Sequence, residues 1–267
     1  MADGLGTALI TGASGGIGAV YAERLARRGY NLVLVARDRS KMEAISSRLK
    51  DAGSWIEVLV ADLTRPEDIN AVEARLAAGD VSILVNNAGM SLNGSLLENG
   101  PEEISRIIAL NITAPARLAA AAAKAFVAKG HGAVVNIASV LALAPERYDG
   151  IYSGSKSFLL NLSQSMTAHY ADKGVYTQAV LPGATRTELW ERSGKDINSF
   201  PIEMLMEVED LVDAALVGFD RREPVTIPPL PDDAPWTAMQ QARLSMAPNL
   251  SRRAVANRYL SSQTESA

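Results

Sequence analysis

The sequence predicts a doubly wound α/β fold, with a parallel sheet of about seven strands and helices on both of its faces. Short Val/Ile/Leu-rich runs alternate with longer helical patterns, and the first run leads directly into a glycine-rich turn. Near-continuous apolar runs are typical of parallel strands that are covered on both faces. Strands that alternate with helices indicate right-handed βαβ units.

The elements follow in order along the chain. The predicted strands are Thr7–Thr11, Asn31–Ala36, Trp55–Val60, Ser82–Val85, Ala133–Ala138, Tyr176–Leu181 and the weaker Val225–Ile227. The predicted helices are 16–28, 39–52, 66–78, 101–129, 150–172 and 207–219. Pro66 and Pro101 support two of the helix starts, because a missing N–H costs little in the first turn.

We find no internal repeat and expect one domain over residues 1–267. An extended, proline-rich arm over about 228–260 is expected to lead to two short helices.

The composition excludes several classes of function. A net charge of −4 over 267 residues gives no broad basic face for nucleic acid. The absence of cysteine excludes disulfides, thiolate catalysis and cysteine-ligated metal, and the two histidines lack metal-ligand spacing. The first apolar run is too short for a signal peptide, and the alanine-rich stretch 114–128 is too short to span a bilayer. We therefore expect a cytoplasmic protein with no metal, no nucleic acid and no membrane partner.

The glycine turn after the first strand reads Gly12-Ala13-Ser14-Gly15-Gly16-Ile17-Gly18. A preceding strand and a following helix are the context that a dinucleotide site requires. The first glycine permits the tight turn, Gly16 lets backbone N–H groups approach a pyrophosphate, and Gly18 lets the helix pack closely on the sheet. The N-terminus of that helix also favours negative charge. The sequence thus predicts a Rossmann-type cofactor site formed by Gly12, Ser14, Gly15, Gly16, Ile17 and Gly18.

The end of the second strand bears on which nicotinamide cofactor is used. An acidic residue there would bind the adenosine ribose and favour NAD, but Ala36 stands at that place and Arg37 follows it. A guanidinium can pair with a 2′-phosphate, so NADP(H) is the expected cofactor and NAD(H) remains possible. If the end of the second strand were placed one residue later, Asp38 would take the position of the acidic residue and become the ribose ligand.

Three polar residues form a candidate catalytic group. Tyr152 and Lys156 are four residues apart on a predicted helix and therefore share a face. A free tyrosine has a pKa of about 10, and the lysine ammonium, together with an oxidised nicotinamide, is expected to lower the pKa of Tyr152. Ser139 follows a strand and can hydrogen-bond a carbonyl oxygen as its charge develops. The group predicts hydride transfer between a nicotinamide and a carbonyl or alcohol, with proton transfer by Tyr152.

These motifs together resemble the short-chain dehydrogenase/reductase family, in its shorter single-domain branch, over about residues 5–227. The resemblance implies an adenine contact at Asp62 and Leu63 and a structural motif at Asn86–Gly89, of which Asn87, Ala88 and Gly89 would contact the cofactor. It implies that Asn111 supports a proton relay and that Tyr152 and Lys156 also contact the cofactor. It places Pro182, Gly183, Thr185 and Thr187 near the nicotinamide and phosphates.

The resemblance also indicates where a substrate would bind. In the family, the segment that corresponds to residues 187–206 forms a mobile lid, and here it contains Leu189, Trp190, Phe200 and Met204. Apolar walls with few polar groups suit a lipophilic ketone or alcohol, although these side chains could equally pack the lid onto the body. Family members are commonly homodimers or homotetramers that pack through the helices corresponding to 101–129 and 150–172.

Two other functions are compatible with parts of the pattern. A non-catalytic NADP(H) sensor would need the glycine turn but not the full set of Asn111, Ser139, Tyr152 and Lys156. An enzyme that keeps its cofactor bound for epimerisation or dehydration usually has a longer chain and a different glycine spacing. The sequence favours an oxidoreductase acting on a small-molecule carbonyl or alcohol, and it leaves the substrate open.

Overall fold

The computed structural model describes residues 5–49, 53–92, 96–188, 196–197 and 200–260. Leu189 and Trp190 of the expected lid lie outside these residues. The chain divides into a unit that ends at Pro229 and a second unit that begins at Leu230. The expectation of one domain over the whole chain stays a prediction.

The first unit contains a parallel sheet of seven strands among the described residues, which confirms the predicted fold class. The strands are β1 (Thr7–Thr11), β2 (Asn31–Ala36), β3 (Ile56–Val60), β4 (Val81–Asn86), β5 (Gly132–Ile137), β6 (Val175–Val180) and β7 (Val225–Thr226). Their order in the sheet is β3-β2-β1-β4-β5-β6-β7. The order reverses between β1 and β4, and ligands of such sheets bind at the carboxyl ends of the strands beside that point.

Helices cover both faces of this sheet. They are α1 (Gly16–Arg27), α2 (Arg39–Leu49), α3 (Pro66–Ala77), α4 (Pro101–Ile108), α5 (Ala114–Lys129), α6 (Gly150–Tyr170) and α7 (Val208–Asp220). The predicted continuous helix 101–129 is wrong in one respect, because a π-helical turn over Ala109–Thr113 separates α4 from α5. Such turns widen the helix locally and are frequent at functional sites.

The core lies in two layers, one on each face of the sheet. Ile10 of β1 packs into the layer that contains Tyr21 of α1, whereas its neighbour Leu9 packs into the layer that contains Leu118 of α5. Successive side chains of a strand point to opposite faces, so a strand buried on both sides must be apolar at every position. All five residues of β1 are buried, as the continuous apolar pattern predicted.

Among its described residues, the second unit contains one α-helix, α8 (Ala234–Ser245), followed by short 3₁₀ turns at Ala247–Asn249 and Asn257–Tyr259. This differs from the two short helices expected from the sequence. Pro248 cannot donate the N–H that would extend α8, so the helix ends before it. Within the described part of the chain, no helix has both the length and the apolar character needed to cross a membrane.

Candidate active site

The glycine turn joins β1 to α1 and is held in place by the segment that follows β4. Gly12 and Gly16 have φ values of 65° and 52°, which glycine adopts readily. The Asn87 amide donates to the carbonyl oxygens of Thr11 and Gly12 at 2.9 and 3.3 Å. The Thr11 hydroxyl oxygen accepts from the backbone N–H groups of Asn87 and Ala88, both at 3.0 Å. The turn and the Asn87–Gly89 segment are therefore one hydrogen-bonded structure.

The geometry of this turn fits a bound pyrophosphate. A Cβ atom on Gly18 would overlap the carbonyl oxygen of Gly12 and lie 2.6 Å from the Asn87 amide nitrogen, so only glycine allows this close packing. Helix α1 begins after Gly15 with no side-chain cap and no acidic residue in its first turn. The N-cap residue therefore provides no side-chain acceptor for the first N–H groups, and these groups can bind an anion. The residues fit the phosphates of a dinucleotide.

The ends of β2 and β3 hold the residues predicted to bind adenosine. Arg37 is exposed. Asp62 is partly buried, which tends to raise its pKa, but the Thr64 N–H and hydroxyl, with the charge of Arg37, hold that pKa below its usual range. The side chain of Leu63 is buried in the core, so only its backbone remains available to an adenine. Arg37 and Asp62 therefore influence each other at one edge of the sheet.

Asp38 has a structural role that argues against the shifted alignment. Its carboxylate accepts from the hydroxyl of Ser40 at 2.7 Å and from the N–H of Lys41 at 3.0 Å. The second of these bonds satisfies a backbone N–H group in the first turn of α2, which begins at Arg39. The Lys41 N–H first, and then the Ser40 hydroxyl, hold the pKa of Asp38 below its usual range. The carboxylate is thus already engaged by the helix N-terminus.

The candidate catalytic side chains meet at the carboxyl end of β5. Ser139 follows this strand, and its hydroxyl oxygen accepts from the N–H of Leu141 at 3.1 Å. Tyr152 and Lys156 are both buried on α6 and line one cavity with Ser139. The Lys156 ammonium donates to the carbonyl oxygen of Ile137 at 2.9 Å, which fixes its position against the strand. Helix α6 itself begins after Asp149, whose carboxylate accepts from the N–H of Tyr152.

Burial controls the protonation of this group. It raises the pKa of Tyr152 above its ordinary value, nearby Tyr148 acts in the same direction, and the Ser139 hydroxyl acts against both. Burial also lowers the pKa of Lys156 to about 8. The expected lowering of the Tyr152 pKa by Lys156 is therefore wrong for this structure. The physical reason is that burial dominates the pKa of the phenol, while the Lys156 ammonium donates to the carbonyl oxygen of Ile137.

Asn111 lies on the π-helical turn and is buried behind the cavity. Its amide donates to the Met90 carbonyl oxygen at 2.8 Å, and its side-chain oxygen accepts from the Met90 N–H at 2.9 Å. The amide also donates to the Ser155 hydroxyl at 3.1 Å, and that hydroxyl donates to the Tyr152 carbonyl oxygen at 2.7 Å. Asn111 thus connects the segment after β4 with α6. Its part in a proton relay stays a prediction.

A cavity of about 600 Å³ brings most of the predicted residues together. Those that line it are Gly12, Ser14, Gly15, Gly16, Ile17, Asn87, Ala88, Gly89, Ser139, Tyr152, Lys156, Pro182, Gly183, Thr185 and Thr187. Gly18, Arg37, Asp62, Leu63 and Asn111 are not in its wall. The roles of all these residues stay predictions. Within the described ranges, no cluster of three His, Asp or Glu side chains could hold a metal ion.

The remaining wall of the cavity is largely apolar. Met90, Leu141, Tyr148, Phe200 and Met204 contribute to it, and the last two belong to the expected lid. The described part of that lid therefore includes side chains at the cavity. This wall lies beside the catalytic side chains, so an apolar substrate group can pack there while a carbonyl reaches Tyr152.

Sequence reasoning missed the contacts of several residues that organise the site. Thr11 ends the first strand and opens the glycine signature, and its hydroxyl also holds the Asn87 and Ala88 backbone. Ser155 lies one residue before the lysine and connects Asn111 to α6. Tyr148 lies four residues before Tyr152, and their rings pack edge to face at 5.4 Å. Tyr148 precedes α6, which begins at Gly150, so helical spacing gives no signal for it, and the partners of Thr11 and Ser155 are distant in sequence.

The fold and the site define a dinucleotide-binding α/β protein with a Ser-Tyr-Lys group beside its phosphate-binding turn. The model of the short chain dehydrogenase family matches residues 6–198. The chain therefore belongs to the short-chain dehydrogenase family, as its motifs predicted.

Individual relatives extend this comparison. The chain is similar to a short-chain dehydrogenase from Sphingobium yanoikuyae solved in complex with NADPH, at 53% identity and a TM-score of 0.93 over 96% of this chain and 100% of that one. It is similar to a bulky-bulky ketone specific alcohol dehydrogenase from Comamonas testosteroni, at 47% identity and a TM-score of 0.89 over 96% and 99%. Human 17-beta-hydroxysteroid dehydrogenase type 3 is 35% identical over 68% of this chain, and the match spans 60% of that relative's length.

Proposed function

We propose that this protein is an NADP(H)-dependent oxidoreductase that transfers a hydride between the nicotinamide and a lipophilic ketone or secondary alcohol. The observation that carries the proposal is that Ser139, Tyr152 and Lys156 line the same cavity as the glycine turn. A protein that only bound the nucleotide would not need a buried proton donor at that place. The Sphingobium relative, whose structure contains NADPH, supports the choice of cofactor, as does Arg37 at the end of β2.

The residues of the chain have distinct tasks in this mechanism. The glycine turn and the α1 N-terminus would hold the pyrophosphate, and a bound nicotinamide would supply or accept the hydride. The Ser139 hydroxyl donates a hydrogen bond to the substrate oxygen, and the Tyr152 hydroxyl donates its proton to that oxygen as negative charge develops. Lys156 contributes positive charge next to the phenol.

The protonation state of Tyr152 matters for both directions of the reaction. Burial raises the pKa of the phenol, so the side chain keeps its proton near neutral pH. Ketone reduction needs that acid, whereas alcohol oxidation needs the phenolate.

The substrate class follows from the cavity wall. Apolar side chains surround the catalytic group, and a ketone with large apolar substituents removes them from water. The Comamonas relative is named for ketones with two bulky substituents, which supports the same class for this chain. The family resemblance further suggests a homodimer or homotetramer, and light scattering on the purified protein tests the oligomeric state.

The direct test is reduction of a panel of aryl ketones, followed by the loss of NADPH absorbance. Wild type is expected to consume NADPH faster than NADH and to convert at least one ketone. Tyr152→Phe keeps the ring but removes the acid, so it is expected to lower kcat by about 10²–10⁴-fold while still binding NADPH. NADPH binding without turnover of any ketone or alcohol would instead support a non-catalytic sensor.

A further inference from the structure

A hydroxyl–hydroxyl hydrogen bond crosses the substrate side of the cavity. The Oγ atom of Ser91 and the phenolic oxygen of Tyr148 are 2.8 Å apart, and both residues line the cavity. Ser91 belongs to the segment after β4, and Tyr148 precedes α6, so the bond joins two walls that are 57 residues apart in sequence. We call this pair the Ser91–Tyr148 bridge.

The Ser91–Tyr148 bridge lies directly beside the candidate proton donor. The ring of Tyr148 packs against that of Tyr152 with centroids 5.4 Å apart and planes 63° apart. Met90, Leu141 and Ile151 pack in the same apolar cluster. A carbonyl oxygen at Tyr152 and Ser139 therefore places one of its two substituents near the bridge.

The bridge is held by a neutral hydrogen bond between partly buried hydroxyls. The Ser91 hydroxyl also donates to the carbonyl oxygen of its neighbour Leu92 at 3.2 Å. Asn111 and Met90, on the adjoining segment, are joined by two hydrogen bonds. Separating the hydroxyls of Ser91 and Tyr148 breaks one neutral hydrogen bond, which water can replace with little net loss.

We propose that the Ser91–Tyr148 bridge limits the size of the second substituent of the ketone, which makes Ser91 and Tyr148 specificity-determining residues. A small substituent fits beside the closed bridge, whereas a larger one requires the two hydroxyls to separate. This proposal rests on the proposed ketone reduction and adds the residues that set its size limit.

The test compares acetophenone, whose second substituent is methyl, with butyrophenone, whose second substituent is propyl. Ser91→Ala and Tyr148→Phe both remove the hydrogen bond of the bridge. Tyr148→Phe keeps the ring, and Ser91→Ala also removes the bond to the Leu92 carbonyl oxygen. Each is expected to raise the ratio of kcat/KM for butyrophenone to that for acetophenone by about 3- to 10-fold, the range of one weak hydrogen bond. The double variant is expected to match the single variants, because the bond can be lost only once.

Tyr170→Phe is the matched control, since Tyr170 lies at the end of α6 and does not line the cavity. In this control, the ratio of kcat/KM for butyrophenone to that for acetophenone is expected to equal that of wild type. A ratio within twofold of wild type in both single variants would overturn the proposal. Effects that multiply in the double variant would also overturn it, because they would indicate two independent contacts.

A second readout separates this proposal from the proposed function. The affinities of the two ketones are measured by quenching of NADPH fluorescence in the Tyr152→Phe background, where no turnover is needed. Adding Ser91→Ala is expected to raise the affinity for butyrophenone relative to acetophenone by the same factor. This result is expected even if wild type reduces neither ketone at a useful rate. An unchanged ratio of affinities would reject the bridge as the size limit while leaving ketone reduction by the wild type intact.

Discussion

The ammonium nitrogen of Lys156 lies 5.6 Å from the centre of the Tyr152 ring, one helical turn along α6, and donates to the carbonyl oxygen of Ile137. Both side chains are buried, and burial acts on them in opposite ways. It disfavours the charged form of each, so the pKa of Tyr152 rises and the pKa of Lys156 falls to about 8. The protonated phenol is the form that ketone reduction needs.

The buried lysine predicts a specific dependence of stability on pH. The folded-state pKa of Lys156 is about 8, below the ordinary value of 10.5, so between these values the unfolded chain holds a proton that the folded chain has released. The free energy of unfolding is therefore expected to rise from pH 8 to 9.5, by about 1–2 kcal/mol at up to ~1.4 kcal/mol for each pH unit. Urea unfolding at several pH values measures it.

Matched variants isolate this effect. Lys156→Met is expected to abolish the rise, and Lys173→Met, at an exposed lysine after α6, is expected to retain it. Above pH 10 the sign reverses, because Tyr21 and Tyr152 have raised pKa values and stay protonated in the folded state while unfolded tyrosines ionise. A rise that persists in Lys156→Met would contradict the assignment to this residue.

Arg37 is expected to discriminate between the two nicotinamide cofactors. Arg37→Ala removes a charge-assisted contact to the 2′-phosphate, so NADPH binding is expected to weaken by about 10- to 100-fold. NADH lacks that phosphate, and its affinity is expected to stay unchanged. Fluorescence titration of both cofactors measures the effect, and Arg39→Ala is the control because Arg39 pairs with Glu43 on α2.

The alternative is that Asp38 binds the adenosine ribose of NADH, and a variant of Asp38 tests it. The Asp38 carboxylate caps α2, and asparagine caps a helix about as well, so Asp38→Asn is expected to leave both the free energy of unfolding and NADH affinity unchanged. A selective loss of NADH affinity in this variant would instead identify Asp38 as the ribose ligand and remove the argument for NADP(H).

Asn111 is expected to contribute to stability as well as to catalysis. Asn111→Ala leaves the Met90 N–H and carbonyl without their side-chain partner, which is expected to lower the free energy of unfolding by about 2–4 kcal/mol. Ser155→Ala removes the bonds of this hydroxyl with the Asn111 amide and the Tyr152 carbonyl oxygen and is expected to cost about 1–2 kcal/mol. If a proton relay passes through Asn111, kcat is expected to fall in both variants, and the dependence of kcat on pH is expected to change. An unchanged profile would limit Asn111 to a structural role.

Substitution by alanine is expected to have opposite effects on stability at Gly18 and at Gly154. Gly18→Ala places a Cβ against the Gly12 carbonyl and the Asn87 amide, so it is expected to lower the free energy of unfolding by about 1–3 kcal/mol and to weaken NADPH binding at least tenfold. Gly154→Ala adds a Cβ into open space on α6 and is expected to stabilise by about 0.5–1 kcal/mol. Thermal unfolding and NADPH titration check both, and equal effects would contradict this packing argument.

Much of the fold could be predicted because it depends on local pattern. The apolar runs matched the strands to within one or two residues, and the glycine turn marked the switch between β1 and α1. The break in the helix at Ala109–Thr113 could not be predicted, because the apolar spacing of a π-helical turn differs little from that of an α-helix. That break carries Asn111, so the sequence placed the residue on a helix but missed the local geometry that aims it at Met90.

The sequence by itself determined the alternation of strands and helices, the phosphate-binding turn and the presence of Ser139, Tyr152 and Lys156. These features depend on residues that are neighbours in the chain or share a motif. Only the tertiary structure decided the direction of the Tyr152 pKa shift and the contact of Ser91 with Tyr148. Burial and hydrogen bonds between distant segments set these properties, because desolvation and partner geometry arise only when the segments pack together.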